Sequence, residues 1–168
     1  MGNPVLNIDD RGPMYARMLV YDTQPMEQDL QITGTPVVSL HVESDNADGA
    51  LLVYLEDVDP NGVSRYLTEG GLRVIHRTVS TNPHFDQNAP YHSFNREDAA
   101  PLVPGQVAEV TFQLWPTSVL IQRGHRLRLA IAGADAETFD RVPETGTPVV
   151  VVHRTAAHPS RVDLPVVR

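Results

Sequence analysis

Apolar and polar residues alternate with a two-residue period along most of this chain. In PVVSLHVES (36–44), Val38, Leu40 and Val42 alternate with polar side chains, which is typical of a β-strand with one face in a core. ALLVYLEDV (50–58) is apolar almost throughout and predicts a strand that is covered on both faces. Three further segments have a similar strand character: GQVAEVTFQLWP (105–116), HRLRLAIAG (125–133) and TPVVVVHRTA (147–156).

These patterns predict an all-β fold. VSRYLTEGGLRVIHRTV (63–79) adds a strand, a glycine-marked kink and a second strand. Along the whole chain we expect about nine or ten strands. The 14 prolines and 11 glycines break the chain at short intervals, and no amphipathic helical window stands out. We expect an antiparallel β-sandwich, a jelly roll ahead of an immunoglobulin-like fold, because the chain has no cysteines to form an immunoglobulin core.

Composition narrows the classes of partner. The net charge is −8, and the 13 basic residues, all of them arginine, are scattered along the chain. Because an acidic domain repels the phosphates of a nucleic acid, we expect no nucleic acid partner. The chain contains no apolar run of 18 residues, and we expect no membrane partner. MGNPVLNIDD lacks the form of a signal peptide, which favours a cytoplasmic location.

A calcium-loop motif is incomplete in DVDPNGVSRYLTE. Asp57, Asp59 and Asn61 occupy the first three ligand positions, but the twelfth position holds Thr68 instead of an acidic residue. Asp-Pro-Asn-Gly between two strands is better explained as a tight turn.

The sequence offers no catalytic residue, no cofactor site and no metal site. No serine has G-x-S-x-G framing, and the absence of cysteine excludes a thiol nucleophile. His84 and His92 lie beside Asp86 in the long irregular segment 80–105. A metal-dependent enzyme that uses these two histidines as ligands is the least favoured hypothesis.

Carbohydrate binding is an alternative that belongs to a different functional class. Jelly rolls often carry lectin sites, and Tyr91, Phe94 and Trp115 are candidate aromatic platforms. Trp115 ends an apolar strand, and we expect it to pack in the core.

His125 opens a strand whose alternate residues Leu127, Leu129 and Ile131 face the core. An imidazole at this rim is expected to bind a carbonyl or a carboxylate and to hold the strand end. Arg126 and Arg128 lie on the opposite face of this strand. Two roles are equally favoured for them: contact with another domain, or exposure to solvent.

Several stretches together resemble the C-terminal, non-catalytic domain of the X-Pro dipeptidyl-peptidase and cocaine-esterase family of serine hydrolases. The opening stretch has Y-x-T-x-P, then L-x-D-V-x-P-x-G and L-T-x-G-x-L-R. GHRLRLAIAGAD, FDRVPETG and HPSRVDLPVV are similar to the family's closing strands in order and spacing. The resemblance covers residues 15–168, which we expect to form one domain after an N-terminal extension or linker at 1–14.

The resemblance implies a galactose-binding-domain-like jelly roll that packs on an α/β-hydrolase catalytic domain. It also implies that this chain is an accessory domain, excised or stand-alone and inactive by itself, whose parent cleaves esters or amides. We expect the catalytic domain as partner and keep a homo-oligomer as an option. The candidates for structural or interdomain contacts are His125, Arg126, Arg128, Asp135 and Arg141.

Overall fold

The computed structural model describes residues 12–85, 88–135 and 138–167. In these ranges, one short helix and ten strands run in the order α1 (Gly12–Tyr15), β1 (Leu19–Asp22), β2 (Leu30–Gly34), β3 (Val37–Ser44), β4 (Ala50–Val58), β5 (Ser64–Arg73), β6 (Ala108–Gln113), β7 (Thr117–Ile121), β8 (Arg126–Ala132), β9 (Val150–His153) and β10 (Arg161–Asp163). Two 3-10 turns lie at Val74–His76 and Arg96–Asp98. The all-β prediction is confirmed. None of the described helices is long and apolar enough to cross a membrane.

All the strand pairs are antiparallel. The first sheet has the order β1-β8-β4-β5, the second has the order β10-β3-β6, and β2 pairs with β7 in a small third sheet. Strand β9 also pairs with β3, opposite its second half, while β10 pairs with its first half. Strands β9 and β10 therefore share one side of β3.

The first two sheets share a core. Leu40 and Val42 of β3 belong to the same buried cluster as Leu51, Val53 and Leu55 of β4. Each strand contributes every second residue, as the two-residue period predicts. The result is a packed body whose core is made by the facing sides of two sheets.

Strand β4 is buried on its second face as well, which confirms the prediction for this segment. Leu52 and Tyr54 form a separate cluster with Ala130 and Ala132 of β8. This cluster is covered by side chains from the N-terminal segment and from β5, namely Tyr15, Met18, Val20 and Tyr66. The face of β8 that points away from the common core is therefore partly covered by other segments of the chain. The sequence pattern had suggested that this face points to the outside.

The kink predicted in segment 63–79 was wrong. Strand β5 continues through Gly70 and Gly71, and its register shift against β4 lies between Tyr66 and Thr68 instead. A 3-10 turn follows the strand where a second strand was predicted. The glycines serve close packing, because a Cβ on Gly70 would lie 2.4 Å from the carbonyl oxygen of Gln113 and 2.9 Å from the Cα of Leu114.

The turn predicted between β4 and β5 is confirmed. The Asp59 carboxylate accepts hydrogen bonds from the backbone N–H groups of Asn61 at 2.8 Å and Val63 at 2.9 Å. Gly62 follows with a φ of 88°, which favours glycine. The bond from the Val63 N–H lowers the pKa of the Asp59 carboxyl. Asp59 therefore shapes a hairpin.

Replacing Gly70 tests the close contact between β5 and the end of β6. We expect Gly70→Ala to lower the free energy of unfolding by about 1–3 kcal/mol, because the added methyl group meets backbone atoms that cannot move independently. Gly49→Ala is the matched control, since no atom lies within 4 Å of its added Cβ. Urea unfolding of both variants measures the difference, and equal stabilities would contradict the contact.

Candidate interdomain surface

An open groove of about 650 Å³ lies where β5 and the end of β6 meet the loops 80–107 and 133–149. We call it the aromatic groove. Its floor includes Leu52, Tyr54 and Leu72 from the first sheet. Its walls carry aromatic side chains that are at least half exposed, namely Phe85, Phe94, Trp115 and Phe139. The groove is therefore apolar and open to solvent.

Trp115 lies in this wall and not in the core, so the sequence-based expectation for it was wrong. Its side chain is 68% exposed. Val110, Phe112 and Leu114 point inward from the preceding strand, and the two-residue period then turns Trp115 outward. Its backbone is fixed, because its N–H donates to the carbonyl of Glu69 at 2.8 Å and its carbonyl accepts from the Thr68 hydroxyl at 2.6 Å.

His92 ties the long loop to the second sheet. The ring is buried, with Nδ1 at 3.1 Å from the carbonyl oxygen of Thr78 and Nε2 at 3.0 Å from that of Thr111. The neighbouring residues Tyr91 and Phe94 are thereby placed in the groove wall. Sequence reasoning missed this role, because the pairing of the loop with β6 is a long-range contact.

The structure does not assemble the histidines of this loop into a metal site. Both ring nitrogens of His92 face carbonyl oxygens, while His84 is exposed and packs edge-on against the Tyr91 ring. Asp86, which lies beside these histidines in the sequence, is outside the described residues. The ranges that are described contain no group of three histidine or acidic side chains that could hold a metal ion.

His125 joins the ends of two strands in the first sheet. Its Nδ1 lies 2.8 Å from Oδ1 and 3.0 Å from Oδ2 of Asp57, near the end of β4. Both side chains are nearly enclosed. The imidazole lies just before β8, so the contact ties the turn between β7 and β8 to the neighbouring strand.

Arg126 and Arg128 both bind groups within the chain. Arg126 donates to the carbonyl of Thr23 at 3.0 Å. Arg128 donates to the two oxygens of Asp22 at 2.7 and 2.8 Å, and its guanidinium lies 4.7 Å from the centre of the Tyr15 ring. These donated bonds lower the pKa of the Asp22 carboxyl and raise that of Arg128. The part of the two arginines in an interdomain contact stays a prediction.

A buried carboxylate next to this pair anchors the N-terminal segment. Glu56 of β4 accepts hydrogen bonds from the hydroxyl of Tyr15 and from the hydroxyl of Ser64, the latter at 2.7 Å. Burial, followed by the bond to Glu56, raises the pKa of Tyr15. A glutamate inside an apolar strand was the signal in the sequence, since a buried carboxylate needs partners. The sequence did not say that Tyr15 is one of them.

Asp135 and Arg141 lie beside the aromatic groove. Asp135 accepts a hydrogen bond at 2.8 Å from the hydroxyl of Tyr54, whose side chain forms part of the groove floor. Arg141 donates to the carbonyl of Gly146 and stabilises the loop that also carries Phe139. These two residues are therefore close to the groove, while His125 lies at the β7–β8 turn.

The serine hydroxyls form hydrogen bonds with groups of the surrounding fold. In the ranges that the structure describes, their hydroxyls bond to backbone groups (Ser44, Ser80 and Ser160), to carboxylates (Ser64 and Ser93) or to other hydroxyls (Ser39 and Ser118). The geometry is that of an antiparallel all-β domain with an apolar surface and polar side chains used to hold the fold.

Comparison with known proteins identifies the family of this domain. The family model for the X-Pro dipeptidyl-peptidase C-terminal non-catalytic domain matches residues 11–163. The chain belongs to this family.

Relatives and solved structures agree with the assignment. A "Putative serine esterase" of Mycobacterium tuberculosis is 49% identical over 160 residues, which are 95% of this chain and 25% of the relative. Cocaine esterase of Rhodococcus sp. is 26% identical over 173 residues, 95% of this chain and 27% of the enzyme. The structure of an α-amino acid ester hydrolase superposes with a TM-score of 0.77 at 22% identity, over 94% of this chain and 27% of the hydrolase. The chain thus spans about a quarter of the length of these proteins.

The pair of Asp22 and Arg128 makes the free energy of unfolding depend on pH in the acidic range. Because the folded pKa of Asp22 is lowered, its contribution to stability is present above pH about 4 and is lost as the pH falls through the folded value. We expect Asp22→Asn to lower the free energy of unfolding at neutral pH and to reduce its fall between neutral pH and pH about 3.

Urea unfolding across this pH range measures the effect. Asp163→Asn is the control, since it removes one carboxylate from an exposed pair with Arg161. Indistinguishable pH profiles for Asp22→Asn and the unsubstituted chain would contradict the role of the pair.

Proposed function

We propose that this chain is an accessory jelly-roll domain, similar to galactose-binding domains, that packs on an α/β-hydrolase catalytic domain and shapes or stabilises it. The observation that carries the proposal is the match to a non-catalytic C-terminal domain over residues 11–163, in a chain that spans only about a quarter of its relatives. The remaining part of such a protein would supply the catalytic serine, histidine and acidic residue.

The aromatic groove supports this proposal as the contact surface. Phe85, Phe94 and Trp115 are 60%, 62% and 68% exposed around an apolar floor. A contiguous apolar surface of this kind marks an interaction site, and aromatic residues are enriched in the centres of interfaces. The backbone of Trp115 is fixed by its contacts with β5, and Phe94 lies two residues from the anchored His92, so less conformational entropy is lost at these two positions on docking.

The names of the relatives suggest the substrate class. They include serine esterases, a cocaine esterase and an Xaa-Pro dipeptidyl-peptidase. We therefore propose that the catalytic domain cleaves esters or amides by acyl transfer to a serine, and that this chain contributes no reacting group. Its effect on the rate would come through the shape and the rigidity of the neighbouring domain.

The first test separates catalysis from docking. The purified chain is expected to leave p-nitrophenyl esters and X-Pro anilides uncleaved, while it binds the remaining three quarters of the M. tuberculosis relative expressed as a separate polypeptide. Replacing Phe94 and Trp115 by alanine should weaken that complex at least about tenfold, because buried aromatic anchors carry much of the binding energy.

Val63→Ala is the matched control, since it truncates an exposed apolar side chain at the β4–β5 turn. Calorimetric titration gives the affinities, and size-exclusion chromatography shows the complex. Turnover by the chain that is abolished by a serine-directed inhibitor would overturn the proposed inertness. Equal affinities for the alanine variant and the control would overturn the proposed surface.

Carbohydrate binding is a second candidate function, favoured by the exposure of Trp115 and Phe94 beside Tyr91. Exposed rings can stack on a sugar, and the groove lining also includes the polar side chains of Glu69, Gln113 and Asp140. Titration of the chain with simple sugars and soluble polysaccharides distinguishes the two functions. Saturable binding below about 1 mM that is lost in Trp115→Ala would favour the carbohydrate function.

A further inference from the structure

A second cavity of about 260 Å³ opens between the ends of the two sheets, where β1 and β8 face β9 and β10. We call it the edge slot. Its depth is apolar, because Leu40, Leu55 and Leu127 reach it from the core. Val152 and Val162 line its side in the second sheet. The edge slot shares no lining residue with the aromatic groove.

Two arginines stand at the mouth of the edge slot. Arg154 comes from the segment after β9, and its guanidinium lies 4.6 Å from the centre of the Tyr21 ring. Arg161 of β10 donates to Asp163 at 3.2 Å, in a pair whose two side chains are more than half exposed. An exposed pair of this kind is weak and can exchange its partner.

The charge at this mouth is opposite to that of the whole chain. Asp22 also lines the slot, but both of its oxygens bind Arg128, so that pair adds no net charge. Arg161 is likewise paired with Asp163, so Arg154 leaves this mouth with an excess of one positive charge over an apolar cavity, in a protein of net charge −8. An anion attached to an apolar group is complementary to this combination.

We propose that the edge slot binds a small monocarboxylate with an aliphatic tail, the tail against the half-buried Leu129, Val152 and Val162 and the carboxylate on Arg154 and Arg161. The cavity is smaller than the sites that hold drug-sized ligands, which suits an unbranched chain of a few carbons. The planar guanidinium fork binds a carboxylate through two parallel hydrogen bonds. This site is independent of the proposed docking function, since it uses a different surface.

The test is a titration of the whole 168-residue chain with octanoate, followed by ¹H–¹⁵N NMR and calorimetry. Octanoate is expected to bind saturably and to shift the amide signals of Tyr21, Val152 and Val162. Octanol, which keeps the tail, and acetate, which keeps the charge, should each bind at least about tenfold more weakly.

Arg154→Gln combined with Arg161→Gln should weaken octanoate at least about tenfold. Arg65→Gln, an exposed arginine of β5, is the matched control and should leave the affinity unchanged. A dispersed NMR spectrum confirms that each variant folds. If the double variant fails to fold, the proposal is judged from the unsubstituted chain, in which octanoate should shift the amide signals of Tyr21, Val152 and Val162.

Three results would overturn the proposal. The first is no saturation up to about 10 mM octanoate. The second is equal affinity for octanol and octanoate, which would remove the role of the arginines. The third is a set of shifted signals confined to the aromatic groove around Phe94 and Trp115, which would move the site to the other surface.

Discussion

The burial of strand β4 on both of its faces is the constraint on which the rest of this structure depends. One face packs against the second sheet, with Leu51, Val53 and Leu55 in the common core. The other face needs separate cover, and Tyr15 and Met18 of the N-terminal segment supply part of it. Removing apolar surface from water is the main gain in folding, so a doubly buried strand fixes what must lie above and below it.

Polar side chains in this domain hold strands and loops together. Glu56 receives the hydroxyl of Tyr15, Asp57 contacts His125, and His92 lies between two carbonyl oxygens. Each contact joins segments far apart in the chain, and each leaves a buried polar group with partners, as burial requires. The same residue types build catalytic centres elsewhere, but here their partners are structural, which agrees with membership of a non-catalytic family.

The aromatic groove and the edge slot are both open surfaces in the part of the chain that the structure describes. The aromatic groove is wide, apolar and ringed by exposed rings, which suits a large partner. The edge slot is narrow and has a cationic mouth, which suits a small anion. Val149, just before β9, and Val151 of β9 are a further apolar feature, 61% and 47% exposed. A domain that spans a quarter of its relatives is expected to use part of such a surface against its neighbour.

Local patterns were sufficient to predict the main strands and their inward rows, because side-chain direction in a strand follows a two-residue period. They were also sufficient for the β4–β5 turn, since proline, asparagine and glycine set backbone angles locally. The two-residue period turns Trp115 outward, but the groove beside its ring is formed by tertiary contacts. The tertiary structure alone decided that Gly70 lies against the end of β6. It also decided that His92 joins the long loop to β6 and that Tyr15 reaches Glu56. These outcomes depend on which segments meet in the folded chain. Tyr15 and Glu56, for example, are 41 positions apart. Local patterns carry no information about the distance between such segments in the fold.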